Sequence, residues 1–261
     1  MSHIVLLDNH DSFVYNLVDA LAATGHECTV FRNTVPLETV LQADPDLICL
    51  SPGPGHPRDA GILMPLLEEA IGRIPILGIC LGFQALLEHL GGRVQPCGPV
   101  HGRMDRMRLL RPGASATSGA PSTSANPSAG DGATTGDELD APAPSGDPAS
   151  AASAVFDGLT VDGVGAGVGA EAGRLVPVAR YHSLGCTKAP AGLIPLAEAD
   201  FEAGPVIMAG VTEDGLALGL QFHPESVLTP AGPHIITRSL EYLLGATQPA
   251  TTTAAQKGTS A

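Results

Sequence analysis

Over its first ninety or so residues the chain alternates short apolar runs with amphipathic segments, and few architectures accept that rhythm. Residues 3–8 (HIVLLD), 27–32, 46–51 and 75–79 have strand length and apolar character. Between them, residues 13–23, 37–42, 62–71 and 81–90 carry apolar side chains at helical spacing, for example Val14, Leu17, Val18 and Leu21. Strands separated by helices run parallel, and a parallel sheet buries both faces under helices. The pattern predicts an α/β fold with an open, mostly parallel sheet flanked by helices. Right-handed crossovers bring the strand ends to one edge, where an active site is expected. Later residues add strands at 174–180, 206–213 and 216–222 and a helix at 233–244.

Residues 112–154 break the rhythm. Of these 43 residues, 36 are Ala, Gly, Ser, Pro or Thr, and Leu139 is the only large apolar side chain. So little apolar surface cannot offset the entropy of ordering the segment. The expectation is one domain over 1–245, interrupted by a disordered insertion at 112–154 and followed by a disordered tail at 246–261. Deleting 113–153 is then expected to leave stability and activity nearly unchanged. Residues 161–173 read as a second, weaker irregular segment.

Charge and cysteine usage exclude several functions. A formal charge of −14, from 27 acidic and 13 basic residues, opposes binding to nucleic acid. No basic amphipathic stretch suggests a membrane surface. The amino-terminal apolar run, Ile4 to Leu7, is too short for a secretory signal or a membrane span, so the cytoplasm is the expected compartment. The five cysteines are scattered and form no C-x-x-C pair, which gives no support to a disulfide framework or a structural zinc site.

One cysteine stands apart. Gly78-Ile-Cys80-Leu-Gly82 joins an apolar strand to an amphipathic helix with the glycine spacing of a nucleophile elbow. Side chains at 78 or 82 would collide across so sharp a turn. The following helix N-terminus favours a thiolate, and the Leu81 N–H can face a developing oxyanion. A buried structural cysteine is the plainer reading, and it suits Cys28, Cys49, Cys97 and Cys186.

A cysteine hydrolase also needs a base and a group to orient it. His223-Pro-Glu225 offers both, because residues two apart in an extended segment point the same way. Alone, H-x-E is equally a surface pair at a strand end. His10, His26, His56, His89 and His234 are read as ordinary histidines. Ser51-Pro-Gly53-Pro-Gly55 after the third strand is either a bare turn or a second oxyanion donor in register with the elbow.

Taken together and in order, SPGPG, GICLGFQ and QFHPES resemble the class I (triad) glutamine amidotransferases, which have a flavodoxin-like core. LLDNHDSF at 6–13, RYHSL at 180–184 and PESVLT at 224–229 narrow the resemblance to the glutaminase component of anthranilate or aminodeoxychorismate synthase. It covers about residues 3–110 and 174–244. It implies Cys80 as nucleophile, His223 as general acid and base, Glu225 as its orienter, and the N–H groups of Gly53 and Leu81 as the oxyanion hole. Gln84, the Gly53–Pro54–Gly55 loop and the Ser183–Leu184 backbone would hold the amino-acid end of L-glutamine.

The resemblance implies neither metal nor cofactor, and a separate chorismate-binding synthase subunit as the partner that uses the ammonia. The structured segments leave no room for a second catalytic domain. Where the family carries His-Gly-Lys and then Thr-Ser, this chain has His101-Gly-Arg103-Met-Asp-Arg, which bears on loop contacts with that partner. The alternatives are a stand-alone cysteine hydrolase of γ-glutamyl substrates, a glutamine-sensing regulator without turnover, and the glutaminases of carbamoyl-phosphate, GMP or CTP synthesis.

Overall fold

Along the chain the elements are β1 (His3–Asp8), α1 (Val14–Ala22), β2 (Glu27–Arg32), α2 (Leu37–Leu41), β3 (Leu47–Leu50), α3 (Leu63–Ala70), β4 (Ile76–Ile79) and α4 (Leu81–His89). They continue with β5 (Gln95–Pro96), β6 (Arg103–Leu109), α5 (Ala151–Phe156), β7 (Leu175–Arg180), β8 (Leu184–Gly185), β9 (Leu193–Phe201), β10 (Gly204–Thr212), β11 (Ala217–Leu220) and α6 (Gly232–Ala246). The computed structural model describes residues 1–98, 102–111, 150–160, 174–202 and 204–246.

Among the described residues nine strands form one sheet in the order β2-β1-β3-β4-β11-β10-β9-β6-β7, and β5 pairs with β8 separately. From β2 to β11 neighbouring strands are parallel; beyond β11 they are antiparallel. Alternation along β1 sends its side chains to opposite faces. Ile4 and Leu6 pack with Leu17 and Leu21 of α1 and Leu240 and Leu243 of α6. Val5 and Leu7 pack with Leu66 and Leu67 of α3 and Leu86 and Leu87 of α4. Full burial of each such side chain contributes roughly 1.5–3 kcal/mol, so both helical layers are held by their apolar stripes.

The topology also positions the site. Strand β1 lies between β2 and β3, so successive crossovers diverge there and open a crevice at the carboxyl ends of the strands. The loops after β1, β3, β4 and β11 all leave from that edge.

Two expectations need correction. The insertion does not extend to 154: residues 150–154 include the start of α5, whose Ala151, Val155 and Phe156 are fully buried. That helix packs in the same cluster as Ile235 and Leu240 of α6, so a deletion reaching 153 would open the core. Three apolar side chains on one short helix suffice to order it, despite the composition upstream. Residues 112–149 lie outside the described residues. The domain also ends one residue later than expected, since α6 includes Ala246; residues 247–261, like 161–173, are outside the described set.

Candidate active site

The chain between β4 and α4 turns so tightly that Cys80 adopts φ 52° and ψ −99°, a region that residues with a side chain seldom enter. The flanking glycines explain how. A methyl on Gly78 would lie 2.8 Å from the Gly82 carbonyl, and one on Gly82 would overlap the Leu50 carbonyl of β3. Cys80 N–H donates to Leu220 O of β11 at 2.7 Å, so the elbow is fixed by the neighbouring strand. Leu81 opens α4, leaving its N–H among the helix's unpaired first-turn donors.

Past β11 the chain brings back a histidine. His223 Nδ1 is 2.7 Å from Glu225 Oε1, and both side chains are buried. The pair is delivered by a turn, with Ser226 N–H on His223 O at 3.3 Å, where the sequence suggested an extended segment. Gly232 packs so closely beneath Pro224 that any side chain there would overlap the Pro224 carbonyl. Tyr181 meets the imidazole edge-on, with ring centroids 4.9 Å apart.

Burial alone would lower the pKa of His223. That is the largest single effect, but the nearby Cys80 sulfur and, after it, Glu225 together outweigh it, so the pKa is raised well above 6.5. His223 Nε2 has no fully formed hydrogen bond, the loose arrangement common in unliganded sites.

Cys80 and His223 line one cavity of about 420 Å³ with Gly53, Pro54, Gly55, Gln84, Ser183 and Leu184. The expected site residues therefore converge, with Leu81 contributing from the base of α4. Gly53 sits where a methyl would come within 2.5 Å of Asn9 O and 2.9 Å of Leu81 Cδ2, so the loop presses onto the elbow. Asn9 anchors it: its N–H donates to Ser51 Oγ at 2.8 Å and its Nδ2 to Ser51 O at 3.0 Å. Leu184 O accepts Gln84 Nε2 at 3.0 Å and the His182 Nδ1–H at 2.9 Å.

Other polar residues in and around the cavity belong to no catalytic pattern in the sequence. His10 and Asp11 lie on its wall. Asp11 has a raised pKa, first from burial, opposed by His223 and reinforced by Glu225. Fully buried Gln221 points Nε2 at Cys80 Sγ, 3.8 Å away. Its position two residues before His223 was the available signal. The remaining cysteines are unpaired, and burial raises the thiol pKa of Cys28, Cys49 and Cys97. Among the described residues no group of side chains is arranged to hold a metal ion, and no helix is long and apolar enough to cross a membrane.

Fold and site together define an α/β protein built around a cysteine elbow that faces a buried histidine–carboxylate pair. The family described as "Glutamine amidotransferase class-I" matches residues 5–242, and the chain belongs to that family. Anthranilate synthase component 2 of Corynebacterium glutamicum is 52% identical over 244 residues, spanning 94% of this chain and 99% of the relative. The Haemophilus influenzae protein of the same name is 34% identical over 249 residues, spanning 94% and 99%. A glutamine amidotransferase structure from Thermotoga maritima superposes with a TM-score of 0.56 at 15% identity, covering 93% of this chain and 98% of that one; this likeness is one of fold.

Proposed function

We propose that this chain hydrolyses L-glutamine and passes the ammonia to a chorismate-binding synthase subunit that makes anthranilate, a tryptophan precursor. The observation that carries the reading is the elbow sulfur of Cys80 sharing one cavity with a His223 already paired to Glu225. His223 Nε2 takes the thiol proton, and the thiolate adds to the side-chain amide carbon of glutamine. The N–H groups of Gly53 and Leu81 receive the oxyanion. As the intermediate collapses, the C–N bond breaks and His223 returns its proton to the departing ammonia. Water, deprotonated by His223, then cleaves the γ-glutamyl thioester to glutamate and restores the thiol. Gln84, the Gly53–Gly55 loop and the Ser183–Leu184 backbone hold the amino-acid end of the substrate.

Ammonia is mostly protonated in neutral water and then is no nucleophile, which favours delivery to a docked partner. The names of the Corynebacterium and Haemophilus relatives support anthranilate as the product. The test reconstitutes the chain with a chorismate-binding subunit and supplies either glutamine or an ammonium salt. Cys80→Ser is expected to abolish the glutamine-dependent product and spare the ammonium-dependent one. Persisting glutamine use would remove Cys80 from the mechanism. Full glutaminase activity without a partner would favour a stand-alone γ-glutamyl hydrolase, and 4-amino-4-deoxychorismate as the product would reassign the pathway.

A further inference from the structure

Behind the sulfur lies a chain of amides that the triad does not account for. Gln221 is fully buried, on the segment that leads from β11 to His223. A buried amide must place both its donor and its acceptor. Gln221 Oε1 accepts Gln84 Nε2 at 3.4 Å, and Gln84 Nε2 also donates to Leu184 O at 3.0 Å. Gln84 thereby offers donors only, so the oxygen of Gln221 must face it and the Gln221 NH₂ must face Cys80 Sγ, 3.8 Å away. Backbone contacts hold both ends of this arrangement. Cys80 N–H donates to Leu220 O at 2.7 Å and Gln221 N–H to Met208 O at 2.9 Å.

We infer that Gln221 is a positioning residue for the glutaminase reaction: its side-chain N–H holds the Cys80 sulfur in its anionic form and aims it at the substrate amide. The inference deepens the reading of Cys80 as nucleophile and rests on it. A thiolate is a hydrogen-bond acceptor, and a fixed donor stabilises it more than it stabilises the neutral thiol. Residues 221 and 223 reach the sulfur from one short segment, Gln221 as donor and His223 as the group that carries the proton away. The chain through Gln84 to the Leu184 carbonyl also links the residues expected to hold glutamine with the orientation of the attacking atom.

The variant Gln221→Met keeps the side-chain length and removes the donor; Gln221→Glu puts a negative charge beside the sulfur. On the full chain, Cys80 alkylation by iodoacetamide is followed against pH at the level of the Cys80 peptide, with glutaminase kcat and KM measured in parallel on the chain reconstituted with the chorismate-binding subunit. For Gln221→Met the midpoint of the alkylation profile is expected to rise by about one pH unit. Its kcat should fall roughly tenfold, with KM within about twofold. Gln221→Glu should move the midpoint further in the same direction.

Should Gln221→Met not fold, Gln84→Met serves instead. It frees the Gln221 amide to turn its oxygen toward the sulfur and should raise the alkylation midpoint in the absence of glutamine. A folded variant whose profile and kcat match the wild type would overturn the role of Gln221. Wild-type protein that hydrolyses no glutamine even when reconstituted with the chorismate-binding subunit would instead defeat the assignment of Cys80 itself.

Discussion

His182 stays neutral in the fold because charging it there is costly, and that cost sets an acid limit on stability. The ring is buried, Nδ1–H is committed to Leu184 O at 2.9 Å, and Nε2 has no hydrogen-bond partner. A proton added at Nε2 would be a buried charge without an acceptor. Burial therefore lowers the pKa from 6.5 to about 4; the Leu184 bond opposes the shift, and Arg180 and His223 reinforce it. Because the pKa is depressed on folding, the unfolded chain binds the extra proton first, and stability falls as pH drops from 6.5 toward 4. The linkage relation gives a loss of about 2 kcal/mol by pH 5 and about 3 kcal/mol by pH 4. His182→Asn keeps a donor for Leu184 O and removes the titration. Urea unfolding at pH 7, 6, 5 and 4.5 should show wild-type stability declining more steeply than that of the variant by this amount. Titrating groups that do not interact with His182 cancel in the difference, and His223, whose opposite slope lies above pH 6.5, contributes little over the acid range. Parallel curves, within about 0.5 kcal/mol, would refute the account of a neutral buried ring.

Three further outcomes are expected. Glu225→Gln removes the carboxylate 2.7 Å from His223 Nδ1 and should lower kcat at least about a hundredfold in steady-state assays, with the fold retained by circular dichroism. Asn9→Ala frees the Ser51 carbonyl and loosens the Gly53 loop; kcat should drop roughly tenfold at nearly constant KM, and an unchanged kcat would detach that loop from oxyanion stabilisation. Gly219→Ala drives a methyl into the Phe83 ring and should cost about 1–3 kcal/mol, seen as a melting temperature lower by several degrees.

The centre of the parallel half was legible because β1, β3, β4 and β11 are buried and read as short apolar runs, whereas the edge strand β2 is partly exposed. β6 was not legible: Arg103-Met-Asp-Arg-Met-Arg-Leu109 is charged, its one fully buried side chain is Met107, and it becomes a strand by pairing with β7 and β9. β9 hid behind Pro195 and two acidic residues, although its neighbours β6 and β10 hold it in the sheet. At the site, Cys80, His223 and Glu225 carry spacing that chemistry explains. Asn9, Asp11 and Gln221 are single polar residues whose importance depends on which loops the sheet brings together. His10 looked ordinary because nothing in its local sequence announces that the β1 loop borders the elbow.

The proposed nucleophile and its proposed base come from the ends of neighbouring strands but distant stretches of chain: Cys80 follows β4 and His223 follows β11, and Gln221, 141 residues from Cys80, touches its sulfur. Translation therefore produces the sulfur long before the imidazole. A nascent polypeptide carrying the first ninety residues holds a thiol with no base to activate it and no β11 carbonyl to fix its backbone. In the proposed reaction, competence then waits for β11 to dock beside β4, which ties ammonia release to a chain already grown past His223.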